Sequence, residues 1–258
     1  MQKSYKATKW GQRFLIDAQL IDRIISYANL QPNETVLEIG GGTGSLTRGL
    51  VKVCKKLVVI ERDKKLVEVL SEIEGIEVIQ GDALRVTFPP FDKTVSNLPY
   101  QISSKVTFKL LGYPFLCGIL MYQKEFAERM VAEPGTKDYS RLTVCLSYRC
   151  NVELLERVPN SAFVPRPRVE SIIVKLVPTA PQFDLYDEAF FHQFVRALFT
   201  QRRKKLKRAL IVAAKLLNTE AVGKMVAKLP QHYLTRRAYE LAPEEIASLA
   251  NDIFELRQ

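Results

Sequence analysis

The stretch Thr35-Val-Leu-Glu-Ile-Gly-Gly-Gly-Thr-Gly44 organises the rest of the chain. Its first five residues form an apolar run that predicts a buried strand, four glycines follow within five positions, and residues 45–54 predict a helix. Glycine permits positive φ angles and lets the backbone approach a ligand closely, and a helix N-terminus offers unpaired N–H groups. A strand, a glycine turn and a helix in this order therefore indicate a nucleotide-binding corner.

The spacing of the glycines argues against a dinucleotide. The dinucleotide fingerprint G-x-G-x-x-G needs a third glycine where this chain has Ser45, counting from Gly40, or Thr47, counting from Gly42. The glycines instead alternate as G-x-G-x-G, and an acidic residue, Glu38, stands two positions before the first of them.

Three further apolar runs are each followed by a polar residue that suits part of a nucleotide, namely Glu61, Asp82 and Asn97. The Glu61 carboxylate can accept hydrogen bonds from both hydroxyls of a ribose, and Asp82 can accept one from the amino group of an adenine. Open α/β sheets bind ligands at the carboxyl ends of their strands. Together with the glycine turn, these strand ends resemble those of the S-adenosylmethionine-dependent methyltransferases.

Alternating strand and helix patterns predict a doubly wound α/β sheet that is mostly parallel with one antiparallel strand. The resemblance implies that this is the Rossmann-like sheet of the class I methyltransferases. Strands are expected at 35–39, 57–61, 76–79, 94–97, 116–122, 152–158 and 171–177. Beyond Pro178 and Pro181 only helices are expected, at 187–199, 201–216, 219–227 and 243–255. We therefore predict a catalytic domain at residues 1–178 and a small all-α, RNA-binding domain at residues 179–258.

Composition narrows the class of protein. A hydrophobic content of 47% and a charged content of 26% are those of a globular protein, and no apolar run reaches membrane-spanning length. The N-terminus lacks a secretory apolar region, and the four cysteines include no C-x-x-C pair. With only two histidines in addition, we predict a reduced, cytoplasmic protein without a disulfide framework or a metal site.

The formal charge of +10 is unevenly distributed. The basic residues that we expect to contact RNA are Lys3, Lys6, Lys9, Arg166, Arg168, Arg202, Arg203, Lys204, Lys205, Lys207 and Arg208. Most runs of charge are solvated helix faces, and this is the alternative for residues 202–208. Two clusters with an arginine pair between them nevertheless favour a polyanion such as nucleic acid.

The sharpest chemical signal is Asn97-Leu-Pro-Tyr100. A D/N-x-P-Y set at a strand end resembles that of methyltransferases that act on planar sp² nitrogens. One such nitrogen is the amino nitrogen of adenine, which shares its lone pair with the ring and is a poor nucleophile. The Asn97 side-chain oxygen and the Leu98 carbonyl can accept its two N–H bonds and so free the lone pair. Pro99 stiffens the turn, and Tyr100 offers a face on which a base can stack.

The whole set of motifs resembles the KsgA/Dim1 family of small-subunit ribosomal RNA adenine N6,N6-dimethyltransferases. The matching segments, in the family's order, are Gly11-Gln-Arg-Phe-Leu15, Glu38-Ile-Gly-Gly-Gly42, Gly81-Asp-Ala83, Asn97-Leu-Pro-Tyr100, Gln123-Lys-Glu125 and Phe163-Val-Pro-Arg-Pro-Arg-Val-Glu-Ser171. The match extends from about residue 6 to the basic residues at 202–208. The chain length, the segment Met121-Tyr-Gln-Lys-Glu125 and the absence of an organelle-type presequence are most similar to the archaeal branch.

The resemblance implies a role for each matching residue. The residues expected to contact the cofactor, S-adenosyl-L-methionine, are Gln12, Arg13, Leu15, Gly40, Gly42, Glu61, Arg62, Asp82, Ala83 and Asn97. The residues expected at the target base are Asn97, Leu98, Pro99, Tyr100 and Phe163. Tyr100 and Phe163 would sandwich that base, the alternative for Phe163 being a core aromatic. Arg13 stands where the family usually has Asn or His. The change is harmless if this position contacts the cofactor through its backbone, and it alters the local geometry if the contact is through the side chain. The alternative is that the Arg13 side chain pairs with a phosphate.

The resemblance also implies the reaction, which is dimethylation of N6 on two adjacent adenosines near the 3′ end of small-subunit rRNA. The expected partner is the immature small ribosomal subunit, and the expected state is a cytoplasmic monomer that contacts no membrane. Three alternatives remain open. They are a large-subunit rRNA methyltransferase of the macrolide-resistance type, a small-subunit assembly factor with incidental methylation, and a nicotinamide oxidoreductase, which the missing third glycine disfavours.

Overall fold

The structure is a computed structural model of the 258-residue chain, and it describes residues 12–219, 226 and 229–256. Lys3, Lys6 and Lys9, together with most of the helix predicted at 219–227, lie outside the described residues. The chain forms two compact units. The first comprises residues up to 127 together with 152–178, and the second comprises residues 128–151 together with those from 179 onward.

The strands confirm the predicted α/β class. In chain order they are β1 (Phe14–Leu15), β2 (Thr35–Ile39), β3 (Lys56–Glu61), β4 (Ile76–Gln80), β5 (Lys93–Asn97), β6 (Cys117–Gln123), β7 (Cys150–Val158), β8 (Phe163–Val164) and β9 (Ser171–Pro178). Seven of them form one sheet in the order β4-β3-β2-β5-β6-β9-β7. The pairs from β4 through β6 are parallel, and β9 is antiparallel to β6. This is the mostly parallel sheet with an antiparallel strand that the sequence predicts.

The parallel strands have the apolar pattern of a sheet that is covered on both faces. Consecutive residues such as Val36 and Leu37 in β2, or Val58 and Val59 in β3, are all fully buried. In the register of the sheet, Ile39 pairs with Ile60. The carboxyl ends of β2 and β3 therefore meet at one edge, as the sequence predicts.

The helices of the described residues are α1 (Ala18–Ala28), α2 (Thr47–Leu50), α3 (Lys64–Ser71), α4 (Ser103–Leu110), α5 (Lys124–Met130), α6 (Arg141–Ser147), α7 (Glu188–Phe199), α8 (Leu206–Leu217), α9 (Gln231–Thr235) and α10 (Pro243–Glu255). The helix predicted at 45–54 is reduced to the single turn α2. Its Gly49 lies against α1, where an added Cβ would come within 2.4 Å of Ile25 Cδ1. The close approach of α1 therefore requires glycine here, a residue that weakens a helix. Within residues 12–219, 226 and 229–256, no helix has the length and apolarity needed to cross a membrane.

The second unit contains a segment, residues 128–151, that the sequence predicts as part of the first domain. Tyr139 in this segment is fully buried, and its hydroxyl donates to the Leu241 carbonyl at 2.8 Å. The ring of Tyr148 lies 5.0 Å from that of Phe183 and 6.2 Å from that of Phe191. The segment groups with the C-terminal helices because its aromatic residues are buried among them.

Candidate active site at the carboxyl edge of the sheet

The first unit contains a cavity of about 440 Å³ at the carboxyl edge of the sheet. Of the predicted site residues, those that line it are Gln12, Arg13, Leu15, Gly40, Gly42, Glu61, Arg62, Asp82, Ala83, Asn97, Leu98, Pro99, Tyr100 and Arg168. The structure therefore brings together every residue predicted to contact the cofactor and all but one of those predicted at the target base. Their contacts with ligands stay predictions.

The glycine turn forms the floor of the cavity. Gly40 has a φ of 81° and Gly42 a φ of 57°, values that favour glycine. A Cβ at Gly42 would lie 3.2 Å from the ring of Phe14, and one at Gly40 would lie 3.4 Å from Pro99. The Gly40 amide donates to the Ile60 carbonyl at 2.8 Å, which ties the turn to the end of β3. The turn thus exposes its backbone to the cavity, and side chains at Gly40 or Gly42 would fill the space above it.

Glu61 lines the cavity beside the glycine turn. Its carboxylate is only 4% exposed, and it accepts backbone N–H bonds from Arg62 at 2.8 Å and Asp63 at 2.9 Å. Its second oxygen accepts from the Gly42 amide at 3.2 Å. Each carboxylate oxygen has two lone pairs, so the carboxylate retains capacity for a hydroxyl donor. Three backbone donors therefore leave one acceptor position, on the second oxygen, which suits a hydroxyl group of a ribose.

Asp82 and Ala83 border the cavity beyond Glu61. One Asp82 oxygen accepts from the Leu84 amide at 3.0 Å, and the other lies 3.7 Å from the exposed Arg62 guanidinium. An exposed pair at this distance contributes little stability, so the second oxygen remains available to an amino group. Ala83 is buried and presents a small apolar surface beside it. Asp82 therefore fits the polar edge of an adenine, and Ala83 fits its face.

The orientation of the Asn97 amide is set by a partner that the sequence does not reveal. Its Nδ2 donates to the backbone carbonyl of Arg13 at 3.1 Å, and this leaves Oδ1 as the acceptor for a ligand donor. The Arg13 guanidinium itself reaches the Pro165 carbonyl at 3.5 Å. Because the contact with Asn97 uses the backbone of residue 13, the unusual arginine there leaves the geometry of Asn97 intact.

Tyr100 lies in a short 3₁₀ turn, Tyr100–Ile102, that follows β5. Its hydroxyl forms a 2.7 Å hydrogen bond with the Oγ of Ser171, which is fully buried at the start of β9. Burial raises the pKa of Tyr100 above its ordinary value, so the phenol remains neutral. The half-buried ring lines the cavity, and the pairing of Gln123 with Ser171 in the sheet brings Gln123 to the same wall. In the sequence, Gln123 stands out only as part of a matching segment.

Phe163 is placed differently from the sequence prediction. It belongs to β8, which pairs with β1 so that Phe163 lies opposite Leu15. Its side chain is 0% exposed, packs in the core with residues such as Leu20 and Ile24, and is not among those that line the cavity. The prediction that its ring sandwiches the target base is therefore corrected to the alternative, a core aromatic. The β1–β8 pairing draws this side chain inward.

Replacing Phe163 by alanine tests this placement. Removing a fully buried aromatic side chain leaves a cavity, so we expect the free energy of unfolding to fall by about 3–5 kcal/mol. Chemical denaturation measures the change. The control is Val169→Ala, because Val169 is 45% exposed in the same loop and should change stability by less than about 0.5 kcal/mol. If the Phe163→Ala protein were as stable as wild type but bound RNA more weakly, Phe163 would be a residue that stacks on the target base and not a core residue.

Glu38 is a cavity residue to which the sequence assigns no role. It is 1% exposed, and its carboxylate accepts a hydrogen bond from the Thr47 hydroxyl at 2.7 Å. Burial raises the pKa of Glu38 to about 8, and the nearby Glu61 carboxylate acts in the same direction, while the Thr47 donor opposes the shift. The sequence signal for this residue is its position two residues before the first glycine.

The raised pKa of Glu38 predicts that the stability of the protein depends on pH. The pKa of Glu38 is higher in the folded state, about 8, than the ordinary value of 4.5, so folding takes up a proton between these values. The stability that protonated Glu38 contributes is fully present below pH 4.5, and it is lost as the pH rises through the folded-state pKa of about 8. Relative to Glu38→Gln, the wild-type free energy of unfolding should fall by about 1.4 kcal/mol per pH unit in this window. Denaturation at several pH values measures it, and a pH-independent difference would contradict the shift.

The basic residues predicted to contact RNA differ in how exposed their side chains are. Arg166 and Arg168 are exposed in the loop before β9, and Arg168 lines the cavity mouth. In the second unit the exposed members are Arg203, Lys204, Lys205, Lys207 and Arg208. Arg202 is half-buried, and its guanidinium donates to the carbonyls of Tyr139 at 2.6 Å and Lys137 at 2.9 Å. These bonds hold residues 201–204 in a turn, so α8 begins at Leu206 rather than at the predicted residue 201.

No group of His, Cys, Asp and Glu side chains in the described part of the chain is arranged to hold a metal ion.

Comparison with known proteins identifies a family for this chain. Residues 3–241 match the family described as "Ribosomal RNA adenine dimethylase". The chain is 50% identical over 256 residues to a "Probable ribosomal RNA small subunit methyltransferase A" of Methanosarcina mazei, a match that covers 98% of this chain and 94% of the relative. The Methanosarcina acetivorans protein of the same name is 51% identical over 256 residues, with 98% and 95% covered.

Two solved structures are similar over almost the whole chain. A dimethyladenosine transferase from Plasmodium falciparum has a TM-score of 0.73 and 31% identity, with 94% of this chain and 95% of the other covered. The 23S rRNA methyltransferase ErmE has a TM-score of 0.65 and 29% identity, with 95% and 99% covered. The family match and the archaeal relatives confirm the predicted resemblance. The chain belongs to the ribosomal RNA adenine dimethylase family.

Proposed function

We propose that this protein transfers methyl groups from S-adenosyl-L-methionine to N6 of adenosine in small-subunit ribosomal RNA, twice per base, at two adjacent adenosines near the 3′ end. The observation that carries the proposal is the Asn97 amide, which the Arg13 carbonyl holds at the wall of the glycine-floored cavity. The names of the archaeal relatives support the choice of the small subunit.

The residues of the cavity fit the cofactor. The bare backbone at Gly40 and Gly42 accommodates the methionine portion, the Glu61 carboxylate accepts from a ribose hydroxyl, and Asp82 with Ala83 receives the adenine. The bound cofactor supplies an electrophilic methyl group on its sulfonium sulfur.

The residues around Asn97 prepare the target amine. Asn97 Oδ1 and the Leu98 carbonyl accept the two N–H bonds of N6, which directs the nitrogen lone pair away from the ring. These acceptors also stabilise the positive charge that develops on N6, and fixed alignment lowers the barrier further. Stacking on Tyr100 contributes about 1–3 kcal/mol toward holding an extruded base.

The substrate is bound chiefly through its phosphates. In this proposal Arg166 and Arg168 contact the backbone near the target base, and the exposed basic residues of the second unit grip the RNA elsewhere. Lys3, Lys6 and Lys9 add further cations for the same phosphate backbone. The partner is the immature small ribosomal subunit, and the protein acts as a cytoplasmic monomer.

Direct modification of ribosomal subunits tests the proposal. Unmethylated small and large subunits are incubated with the protein and methyl-labelled S-adenosylmethionine, and rRNA fragments are analysed by mass spectrometry. We expect two adjacent N6,N6-dimethyladenosines in the 3′-terminal fragment of the small-subunit rRNA. The likeness to the 23S rRNA methyltransferase ErmE makes the large subunit the second candidate. Label confined to large-subunit rRNA would overturn our choice.

The exposed lysines give a separate prediction. We expect Lys204→Ala combined with Lys205→Ala to weaken binding of the substrate RNA by about fivefold to tenfold at about 0.1 M salt. The slope of log K against log salt should become shallower by about 0.7 for each phosphate that the variant no longer neutralises. Filter binding over a salt series measures both quantities.

The matched control for this prediction is Arg202→Ala. Because the Arg202 guanidinium donates to the carbonyls of Tyr139 and Lys137, its loss should lower stability by about 1–3 kcal/mol and change the salt slope little. A double lysine variant with an unchanged salt slope would mean that these side chains are only a solvated surface.

A further inference from the structure

Lys109 lies in the last turn of α4, the helix that follows the Asn97–Tyr100 segment, and it reaches the loop after β4. Its ammonium donates to the carbonyl of Ala83 at 2.7 Å and also to the carbonyl of Val86. Both carbonyls belong to residues 81–86, the loop that brings Asp82 and Ala83 to the cavity. Lys109 itself does not line the cavity, so it contacts this loop from outside.

The ammonium is held on its other side by an aromatic ring. Its Nζ lies 4.2 Å from the centroid of Phe88, and the Phe88 ring packs 5.0 Å from that of Tyr113. The Tyr113 hydroxyl also accepts a hydrogen bond from the Phe88 amide at 3.2 Å. A half-buried ammonium needs such partners, because removing a charge from water without them is costly. The side chain is therefore fixed rather than mobile.

The inner side of the same loop is held by Asp82. Its Oδ1 accepts from the Leu84 amide at 3.0 Å, and its carbonyl accepts from the Arg85 amide at 2.7 Å and the Val86 amide at 2.9 Å. Asp82 thus satisfies amides of the loop, whereas Lys109 satisfies two of its carbonyls. Without the ammonium those two carbonyls lose their shared donor.

We propose that Lys109 is a positioning residue for the adenine of the cofactor, an inference that rests on the function proposed above. Lys109 fixes the loop so that Asp82 and Ala83 meet the adenine edge and face. The side chain touches neither the cofactor nor the target base. Its loss should weaken cofactor binding while leaving methyl transfer at saturating cofactor unchanged.

The test compares Lys109→Met with Lys105→Met, an exposed lysine on the same helix. Calorimetry measures the Kd for S-adenosylhomocysteine and for 5′-methylthioadenosine, and steady-state kinetics give KM for S-adenosylmethionine and kcat. For Lys109→Met we expect both Kd values and the KM to rise by about tenfold to thirtyfold, as the loss of charge-assisted hydrogen bonds predicts. The kcat should stay within about twofold of wild type, and Lys109→Arg should recover part of the affinity.

The outcomes separate this inference from the proposed function. Wild-type protein that fails to bind S-adenosylhomocysteine overturns the proposed function. Wild-type binding together with unchanged Kd values in Lys109→Met overturns only the role of Lys109. A fall in kcat with an unchanged KM also overturns it, because a general structural defect would act that way. If Lys109→Met does not fold, Lys109→Gln keeps a donor group and gives the same comparison, in which an unchanged Kd is the contrary result.

Discussion

Replacing Asn97 by alanine is expected to lower kcat for methyl transfer by about 10²–10³-fold, the effect of removing one acceptor or donor aimed at developing charge. The variant loses the Oδ1 that accepts from N6, and it also loses the Nδ2 bond to the Arg13 carbonyl. The cofactor contacts at Glu61 and Asp82 remain, so the Kd for S-adenosylhomocysteine should rise by less than about tenfold. Single-turnover methylation of small subunits and calorimetry measure the two effects.

The variant Asn97→Asp separates the acceptor function of Asn97 from its bond to the Arg13 carbonyl. A carboxylate keeps an acceptor for N6 but cannot donate to the Arg13 carbonyl. We expect a rate between those of wild type and Asn97→Ala, because the acceptor survives while its orientation is lost. An alanine variant with nearly wild-type kcat would show that the reaction does not depend on this amide, and our account of the target amine would fail.

Replacing Glu61 by alanine should greatly weaken binding of S-adenosylhomocysteine. The carboxylate accepts from three backbone amides, those of Gly42, Arg62 and Asp63, and is proposed to accept from one ribose hydroxyl at its remaining acceptor position. A hydrogen bond to a charged group is worth about 1.5–3 kcal/mol, so the Kd for S-adenosylhomocysteine should rise by about tenfold to 100-fold. The glycine turn also loses an acceptor, and calorimetry together with thermal unfolding records both consequences.

Asp63→Ala is the control for Glu61. Asp63 is the N-cap of α3, where its side chain accepts from the Lys65 amide at 3.0 Å, and it does not line the cavity. Its loss should lower stability by about 1 kcal/mol and leave cofactor affinity nearly unchanged. Equal affinities in the two variants would mean that Glu61 supports the fold without holding the ribose.

The features that the sequence predicts best are those set by local pattern. Glycines follow the apolar run of β2, and charged residues follow that of β3, so the pattern determines where both strands end. Residues at or just past a strand end lie at the carboxyl edge. This is why Gly40, Glu61, Asp82 and Asn97 line one cavity as expected. Parallel strands of this kind have few alternative arrangements, since their crossovers are right-handed and their ligands bind at one edge.

The features that the sequence does not reveal depend on contacts between distant residues. The pairing of Leu15 with Phe163 buries an aromatic that local pattern leaves ambiguous between core and site. The Arg13 carbonyl that orients Asn97 is a backbone atom, and side-chain patterns carry no information about it. Arg202 is one of several adjacent basic residues in the sequence, and only its bonds to the distant carbonyls of Tyr139 and Lys137 distinguish its role from theirs.

The discontinuous second unit has a practical consequence for work with shortened proteins. Cutting the chain after Pro178 would remove the Leu241 carbonyl from Tyr139 and the rings of Phe183 and Phe191 from Tyr148. Two large aromatic side chains that are buried in the intact protein would then face water on residues 128–151, and such fragments tend to aggregate. An isolated methyltransferase unit would need both of these stretches deleted, not the C-terminal one alone.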